Sequence, residues 1–282
     1  MKPPPFSYHD PNTLDEALAL LGALDNARIL AGGQSLLPML NFRYLQPDHL
    51  IDVNGIATLS GITAKNGHLY IGAMTRQREV EFSDSVAQKI PLMKQAILQV
   101  GHRQTRNRGT VGGSLSHLDP AAELPLCACA LGATIHVASA RGTRDLVFSD
   151  YALGFMTNAL EPDEMVTGAS FPVLAEGHGA CFMEFARREG DFAIVAVAVL
   201  VERAAGKISK ASVAFGGMSA TAIRADAVAE LLVGEAPTDA LFKAAAAEAT
   251  KIEAFDDVHA PGGYRQHLAG VLTRRALAQA CA

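Results

Sequence analysis

Two hydrophobic periods alternate along the chain. Leu14, Ala17, Leu18 and Leu21 share one helical face behind Thr13-Leu14-Asp15-Glu16, which fits a capping box, so a helix is predicted with Gly22 as its stop. The short apolar runs at 27–31, 49–53 and 68–74 predict strands, the last entered from an Asn66-Gly67 turn. Residues 86–100 carry a helical pattern that Pro91 bends or interrupts. Asp119-Pro120 predicts a further helix, with Asp119 as N-cap and proline in its first position. Strands are predicted again at 134–138 and 145–148.

The pattern changes near Ala175-Glu176-Gly177. Three strand-like runs follow at 180–187, 193–202 and 209–215, the second and third joined by the hairpin-like "RAAGK". Beyond Gly217 the segments "AIRADAVAELLVG", "APTDALFKAAAAEATKI" and "GGYRQHLAGVLTRRALAQA" have helical apolar faces. Strands followed by helices predict a separate α+β domain over 177–282, after a first domain over 1–176.

Composition narrows the function classes. The chain has 282 residues, 49% hydrophobic and 19% charged, enough for two domains with buried cores. A net charge of −5 offers no basic field for nucleic acid. The opening "MKPPPFSYHD" lacks the apolar stretch of a signal peptide, and the longest apolar run, 192–201, is far short of the roughly 20 residues of a membrane helix. A cytoplasmic protein with no membrane span is expected. Cys127, Cys129, Cys181 and Cys281 show no paired CxxC spacing, so buried inert thiols are expected and no metal site.

Two glycine pairs carry the candidate chemistry. "ARILAGGQSLLPML" ends a strand at Gly32-Gly33 and continues to Ser35; "RNRGTVGGSLSHLDPAAELP" places Gly112-Gly113 before Ser114. Each pair is either a plain turn or a nest of N–H groups that a ligand approaches closely, and two facing nests can grip a diphosphate. There is no GxxxxGK[ST] and no GxGxxG. Asp52 stands at ribose-binding spacing from Gly32, but without the glycine fingerprint it reads as a strand-end cap. His102, Arg103, Arg106 and Arg108 precede the second pair, as a solvated basic loop or as charge favouring an anionic ligand. Asp119 and Glu123 follow it, as helix caps or as acceptors for ribityl hydroxyls or a flavin ring.

At these loops the chain resembles the FAD-binding medium subunit of molybdenum hydroxylases. That is the family of the carbon monoxide dehydrogenase medium subunit and the xanthine dehydrogenase flavin domain. The resemblance extends to "IDVNGI", "YIGAMT", "RREGDFAIVAVA" and "YRQHLAGVLTRRAL", nearly the whole length. It implies an α+β fold: a two-subdomain FAD-binding domain, split near 57, then a C-terminal domain with a three-stranded antiparallel sheet and helices. It implies that Ala31, Gly32, Gly33, Gln34, Ser35 and Leu36 form one FAD loop, and Thr110, Val111, Gly112, Gly113 and Ser114 the other. Asp119 and Glu123 would make further flavin contacts. Asp191 and Phe192 match a segment near the isoalloxazine, where core packing is the equal alternative for Phe192. His117 would tune the flavin or sit at the surface. No catalytic residue is expected in this chain.

The resemblance further implies partners: a large molybdenum-binding subunit and a small subunit with two [2Fe–2S] clusters, in a dimer of heterotrimers. FAD would take electrons from the clusters and pass them to an external acceptor. A stand-alone flavin oxidase or reductase, or an assembly protein that kept the fold, are the alternatives. Phe255, His259, Tyr264, Arg274 and Arg275 are candidate docking residues in the C-terminal domain.

Overall fold

Thr13 opens the first helix as predicted. In the computed structural model, which describes residues 1–282, its side chain accepts from Glu16 N–H, and the Glu16 carboxylate accepts from Asn12 N–H and Thr13 N–H. The helix α1 (Leu14–Ala23) runs one residue past Gly22 and buries Ala17, Leu18 and Leu21. It packs beside a small parallel sheet of β1 (Ser7–His9), β2 (Ala27–Leu30) and β3 (His49–Asp52), with β3 central. Helix α2 (Leu36–Asn41) lies in the crossover that a parallel β2–β3 pair requires.

The second unit begins with β4 (Ile62–Lys65) and β5 (His68–Gly72). Asn66 and Gly67 turn between them at φ 51° and 75°, the twist a two-residue hairpin loop prefers. Helices α3 (Gln77–Phe82), α4 (Asp84–Lys89), α5 (Pro91–Ile97), α6 (Arg103–Arg108), α7 (Val111–His117) and α8 (Glu123–Leu131) follow. Pro91 interrupts rather than bends. It pushes Ile90 to φ −139°, ψ 61°, ends α4 and takes the first position of α5.

The chain then returns to sheet through β6 (Thr134–Ser139) and β7 (Gly142–Val147), a short α9 (Phe148–Tyr151), the small ribbon β8 (Ala152–Gly154) with β9 (Thr157–Asn158), and β10 (Met165–Pro172). The main sheet has the order β4-β5-β10-β6-β7 and is antiparallel throughout. Every residue of α8 is buried, including Cys127 and Cys129, so these thiols are core.

One predicted helix start is wrong. α8 begins at Glu123, not at Pro120. Leu118 takes a left-handed conformation that ends α7, and the Asp119 carboxylate accepts from Ala121 N–H. Asp119 thus closes a turn of its own instead of capping a helix.

The chain leaves the middle sheet at Pro172 and enters the last one at Gly179. This sheet holds β11 (Gly179–Phe185), β12 (Val195–Ala204), β13 (Lys207–Gly216) and β14 (Ile223–Arg224), so it has four strands rather than three. The added strand is only a two-residue pairing of Ile223 and Arg224 against Phe215 and Ala214. Alternation along the strands splits the sheet between two cores. Phe182, Ala196 and Ala198 face the middle unit and α8, whereas Cys181, Val195, Val197 and Val199 face the helices α10 (Asp226–Leu232), α11 (Asp239–Ala249) and α12 (Gly262–Ala280). On the free edge of β11, the Gln95 amide of α5 donates to Ala180 C=O and accepts from Phe182 N–H. No helix is long and apolar enough to cross a membrane.

Candidate functional site

Strand β2 delivers the chain into the first glycine pair. Gly33 sits at φ 72°, which an L side chain rarely adopts. The backbone then bends so that Gly32, Gly33, Gln34 and Ser35 point four N–H groups at no protein acceptor. Gly32 is buried, and such groups are ordinarily paired. The side chain of Ser35 makes no capping bond to α2 either. A row of unpaired donors is a cradle for an anion's oxygens.

The two glycine pairs touch each other. A Cβ on Gly32 would stand 2.4 Å from the Arg108 carbonyl oxygen and 2.9 Å from the Gly109 Cα. A Cβ on Gly113 would stand 3.8 Å from Ala31 Cβ and 2.7 Å from Thr110 Oγ1. Gly32 is therefore demanded by the approach of the second loop, whereas a side chain at Gly113 would collide with the cap of its own helix and only touch Ala31.

The second loop is built differently. Thr110 caps α7 by accepting from Gly113 N–H, and Ser114 N–H donates to Thr110 C=O. Val111 and Gly112 donate to Thr75 C=O and Ala73 C=O. Most N–H groups of this loop are thus committed, and its free donors are hydroxyls. Thr110 keeps its hydroxyl proton while its oxygen caps the helix, and Ser114 lies half-buried one turn on.

Two side chains hold the loops together. The Asn54 amide donates to Ala31 C=O at 2.9 Å on the first loop. Arg76 donates to Asn54 Oδ1 and to Arg108 C=O, each at 2.6 Å, so its other arm reaches the second loop. Asp52 fixes Asn54 by accepting from its backbone N–H, and Tyr8 OH donates to the other Asp52 oxygen at 2.6 Å. Burial pushes the Asp52 carboxyl up, but the hydrogen bonds from Tyr8 and Asn54 outweigh it and hold it below its ordinary value. Asp52 is thus more than a strand-end cap. Asn54 and Arg76 were not singled out from the sequence, although Asn54 lies in "IDVNGI" and Arg76 directly follows "YIGAMT".

His117 and Asp119 lie at the exit of α7. His117 is half-buried in its last turn, and burial lowers its pKa despite the nearby Asp119. Phe192 is 67% exposed, so core packing does not explain it. Asp191 is held by Arg187 at 3.1 Å and accepts from Phe192 N–H. The segment before it packs on the approach to the second loop: a Cβ on Gly190 would meet the His102 ring at 2.5 Å. Of the four basic residues before that loop, Arg106 is tied to Glu81 and to the Val100 and Gly101 carbonyls, while His102, Arg103 and Arg108 are exposed. Glu123 is only 8% exposed. Burial, the charge of Glu184 on β11 and that of Asp119 push its pKa up to about 8, against the opposing pull of its own N–H and of Arg106. Burial also lifts Glu184 to about 7, and its Oε2 has no partner.

Comparison with known proteins identifies the family of the chain. Residues 4–174 match the model of the FAD binding domain in molybdopterin dehydrogenase, and residues 180–280 match the CO dehydrogenase flavoprotein C-terminal domain. The chain belongs to this flavoprotein family. It is 36% identical to the 6-hydroxypseudooxynicotine dehydrogenase complex subunit alpha of Paenarthrobacter nicotinovorans, covering 99% of this chain and 96% of that protein. It is 35% identical to the carbon monoxide dehydrogenase medium chain of Hydrogenophaga pseudoflava, over 98% and 97% of the two chains. A solved carbon monoxide dehydrogenase from that organism superposes with a TM-score of 0.96 at 36% identity, over 99% of this chain and 98% of that one. A chain of quinoline 2-oxidoreductase from Pseudomonas putida 86 gives the same TM-score at 35% identity, over 100% and 98%. The chain is thus an FAD-binding subunit of a molybdenum-containing oxidoreductase, and the four-donor cradle fits that cofactor's diphosphate.

Two outcomes follow from the site. Arg76→Met leaves Asn54 Oδ1 and the Arg108 carbonyl without their charged donor, a loss of about 1.5–3 kcal/mol per bond. FAD affinity measured by fluorescence titration falls by roughly tenfold or more, whereas Arg103→Met on the exposed face leaves it unchanged. The second concerns pH. Glu123 binds a proton more tightly folded than unfolded, so its contribution to stability is full below the unfolded pKa near 4.5 and is lost as pH rises towards 8. Glu123→Gln therefore leaves the apo-protein's Tm nearly unchanged at pH 5 and raises it by several degrees at pH 8.5, at roughly 2–4 °C per kcal/mol. Equal shifts at both pH values contradict this.

Proposed function

We propose that this chain carries electrons from the [2Fe–2S] clusters of a small partner subunit, through FAD, to an external acceptor. A large partner subunit holds the molybdenum cofactor and oxidises the organic substrate. The observation that supports this reading is the pair of loops in contact, with four N–H groups on Gly32 to Ser35 left without protein acceptors. Such a cradle suits a diphosphate gripped from two sides and so favours FAD over FMN. FAD supplies the redox chemistry when bound. The protein's task is to bind and orient it and to tune its surroundings.

The residues divide by role. Residues 31–36 hold the diphosphate with backbone donors, and Thr110 and Ser114 hold it with hydroxyls from the opposite loop, around Val111, Gly112 and Gly113. Asp119 and His117 at the exit of α7 face the ribityl chain and ring. Asp191 and Phe192 approach the ring from the C-terminal domain, and Glu123 makes a further flavin contact beside Asp119. We place the division between FAD-binding and C-terminal domains near residue 176 and that between the two subdomains near 57. The relatives named as a medium chain and as subunit alpha of a complex support a multi-subunit assembly, for which we propose a dimer of heterotrimers.

The protein purified by affinity from its native host carries non-covalent FAD, released by acid and identified by mass spectrometry. It also carries molybdenum, iron and acid-labile sulfide in fixed proportion. The isolated chain binds FAD but oxidises no organic substrate. A metal-free monomer that turns over an organic substrate, or a flavin released as FMN, overturns the reading.

A further inference from the structure

Arg265, on the first turn of the terminal helix α12, is 2% exposed and forms a latch that the site described so far does not use. Its Nη1 donates to two backbone carbonyls, Ile194 C=O and Gly217 C=O. Its Nη2 pairs with Asp257 Oδ1 at 2.7 Å, and the guanidinium lies 4.5 Å from the centre of the Phe255 ring. Asp257 Oδ1 also accepts from His259 N–H and Ala260 N–H, so the anion is itself fixed. The Nε has no partner. A buried cation is costly to desolvate, and buried ion pairs often add little to stability over apolar packing. What the guanidinium does that an apolar group cannot is fix two carbonyls side by side.

Those two carbonyls belong to the segment after Phe192 and to the exit of β13, which is tied to the Asp119 turn. Ile194 stands two residues after Phe192, and its N–H donates to Phe185 C=O at 2.8 Å. Gly217 N–H donates to Pro120 C=O at 2.8 Å, within the Asp119 turn. Gly217 itself has φ 75°, and a Cβ there would meet the Ile194 carbonyl oxygen at 2.5 Å. One side chain of α12 thus joins the Phe192 segment, the β13 exit and, through Gly217, the turn that follows α7. The same contacts account for Phe255, one of the candidate docking residues, as part of the latch. Arg274 is likewise paired, with Asp239 at 2.7 Å.

We propose that Arg265 is a positioning residue for the flavin ring: from the terminal helix it sets the placement of Phe192 against the Asp119–Pro120 turn. This rests on the reading of the chain as a flavoprotein with Phe192 at the ring. Arg265 does not touch the flavin in this account; it acts through the backbone of residues 192–194.

The test is a double-mutant cycle on the FAD-loaded full chain, with Arg265→Met, Phe192→Ala and the pair. The readouts are FAD affinity and the visible circular dichroism of bound FAD, beside Tm and far-ultraviolet circular dichroism. Arg265→Met weakens FAD binding about tenfold and alters the visible dichroism; in the Phe192→Ala background the same change adds less than about twofold. Arg265→Lys, which keeps a donor for the carbonyls, restores part of the dichroism. Where Arg265→Met fails to fold, Asp257→Asn decides: it removes the anion, keeps the acceptor, and shifts affinity and dichroism in the same direction by less. The inference is overturned if Arg265→Met, or Asp257→Asn in its place, leaves both flavin readouts at the wild-type value, or if the effect is equal with and without Phe192. A wild-type chain that binds no FAD overturns the flavoprotein reading instead.

Discussion

The contact between the two glycine loops depends on one charged side chain. Arg76 spans from the Asn54 amide to the Arg108 carbonyl, and Asn54 continues the span to the Ala31 carbonyl. Beside that span, the loop after β2 and the loop between α6 and α7 are aligned by the close approach of Gly32 to the Arg108 carbonyl. The geometry needs both parts. Gly32 permits the approach, and a planar bidentate cation fixes its direction, which an ammonium on a flexible stem does less well. Tyr8 and Asp52 support the span from the first sheet, so the strut reaches back to the N-terminal strand.

The domains are held to each other by a different kind of contact. The last sheet shows one face to the middle unit and the other to the terminal helices, so two cores share one sheet. Polar links fix the registration: Gln95 on the edge of β11, Gly217 on the Pro120 carbonyl, and Arg265 behind them. Rigid elements thus position the loop residues proposed to face the flavin. This chain contributes placement; its thiols Cys127, Cys129 and Cys181 are buried, whereas Cys281, expected to be buried, is half-exposed near the end of α12.

Much of this was legible in the sequence because it is periodic or punctuated. The Thr13–Glu16 capping box, the Asn66-Gly67 hairpin and the Pro91 break each rest on local chemistry that tertiary structure did not override. The Asp119-Pro120 start failed because a carboxylate that caps a helix can as well close a short turn, and the left-handed Leu118 left the chain poised for the turn. The Ile223–Arg224 strand was illegible because two residues carry no period. Asn54, Arg76 and Arg265 escaped for a related reason: each is a single polar residue with at least one backbone carbonyl as partner, and a carbonyl leaves no mark in a sequence. The committed N–H groups of Val111 and Gly112 were hidden in the same way, so the loops looked alike in sequence and differ in donors.

The central claim is that the two loops form one diphosphate cradle with unequal halves. A crystal structure of the FAD-loaded chain tests it most directly. The account predicts diphosphate oxygens at about 2.7–3.2 Å from the N–H groups of Gly32 to Ser35, with the Thr110 and Ser114 hydroxyls on the opposite side. A diphosphate bound elsewhere, with the two loops in contact only with each other, contradicts it.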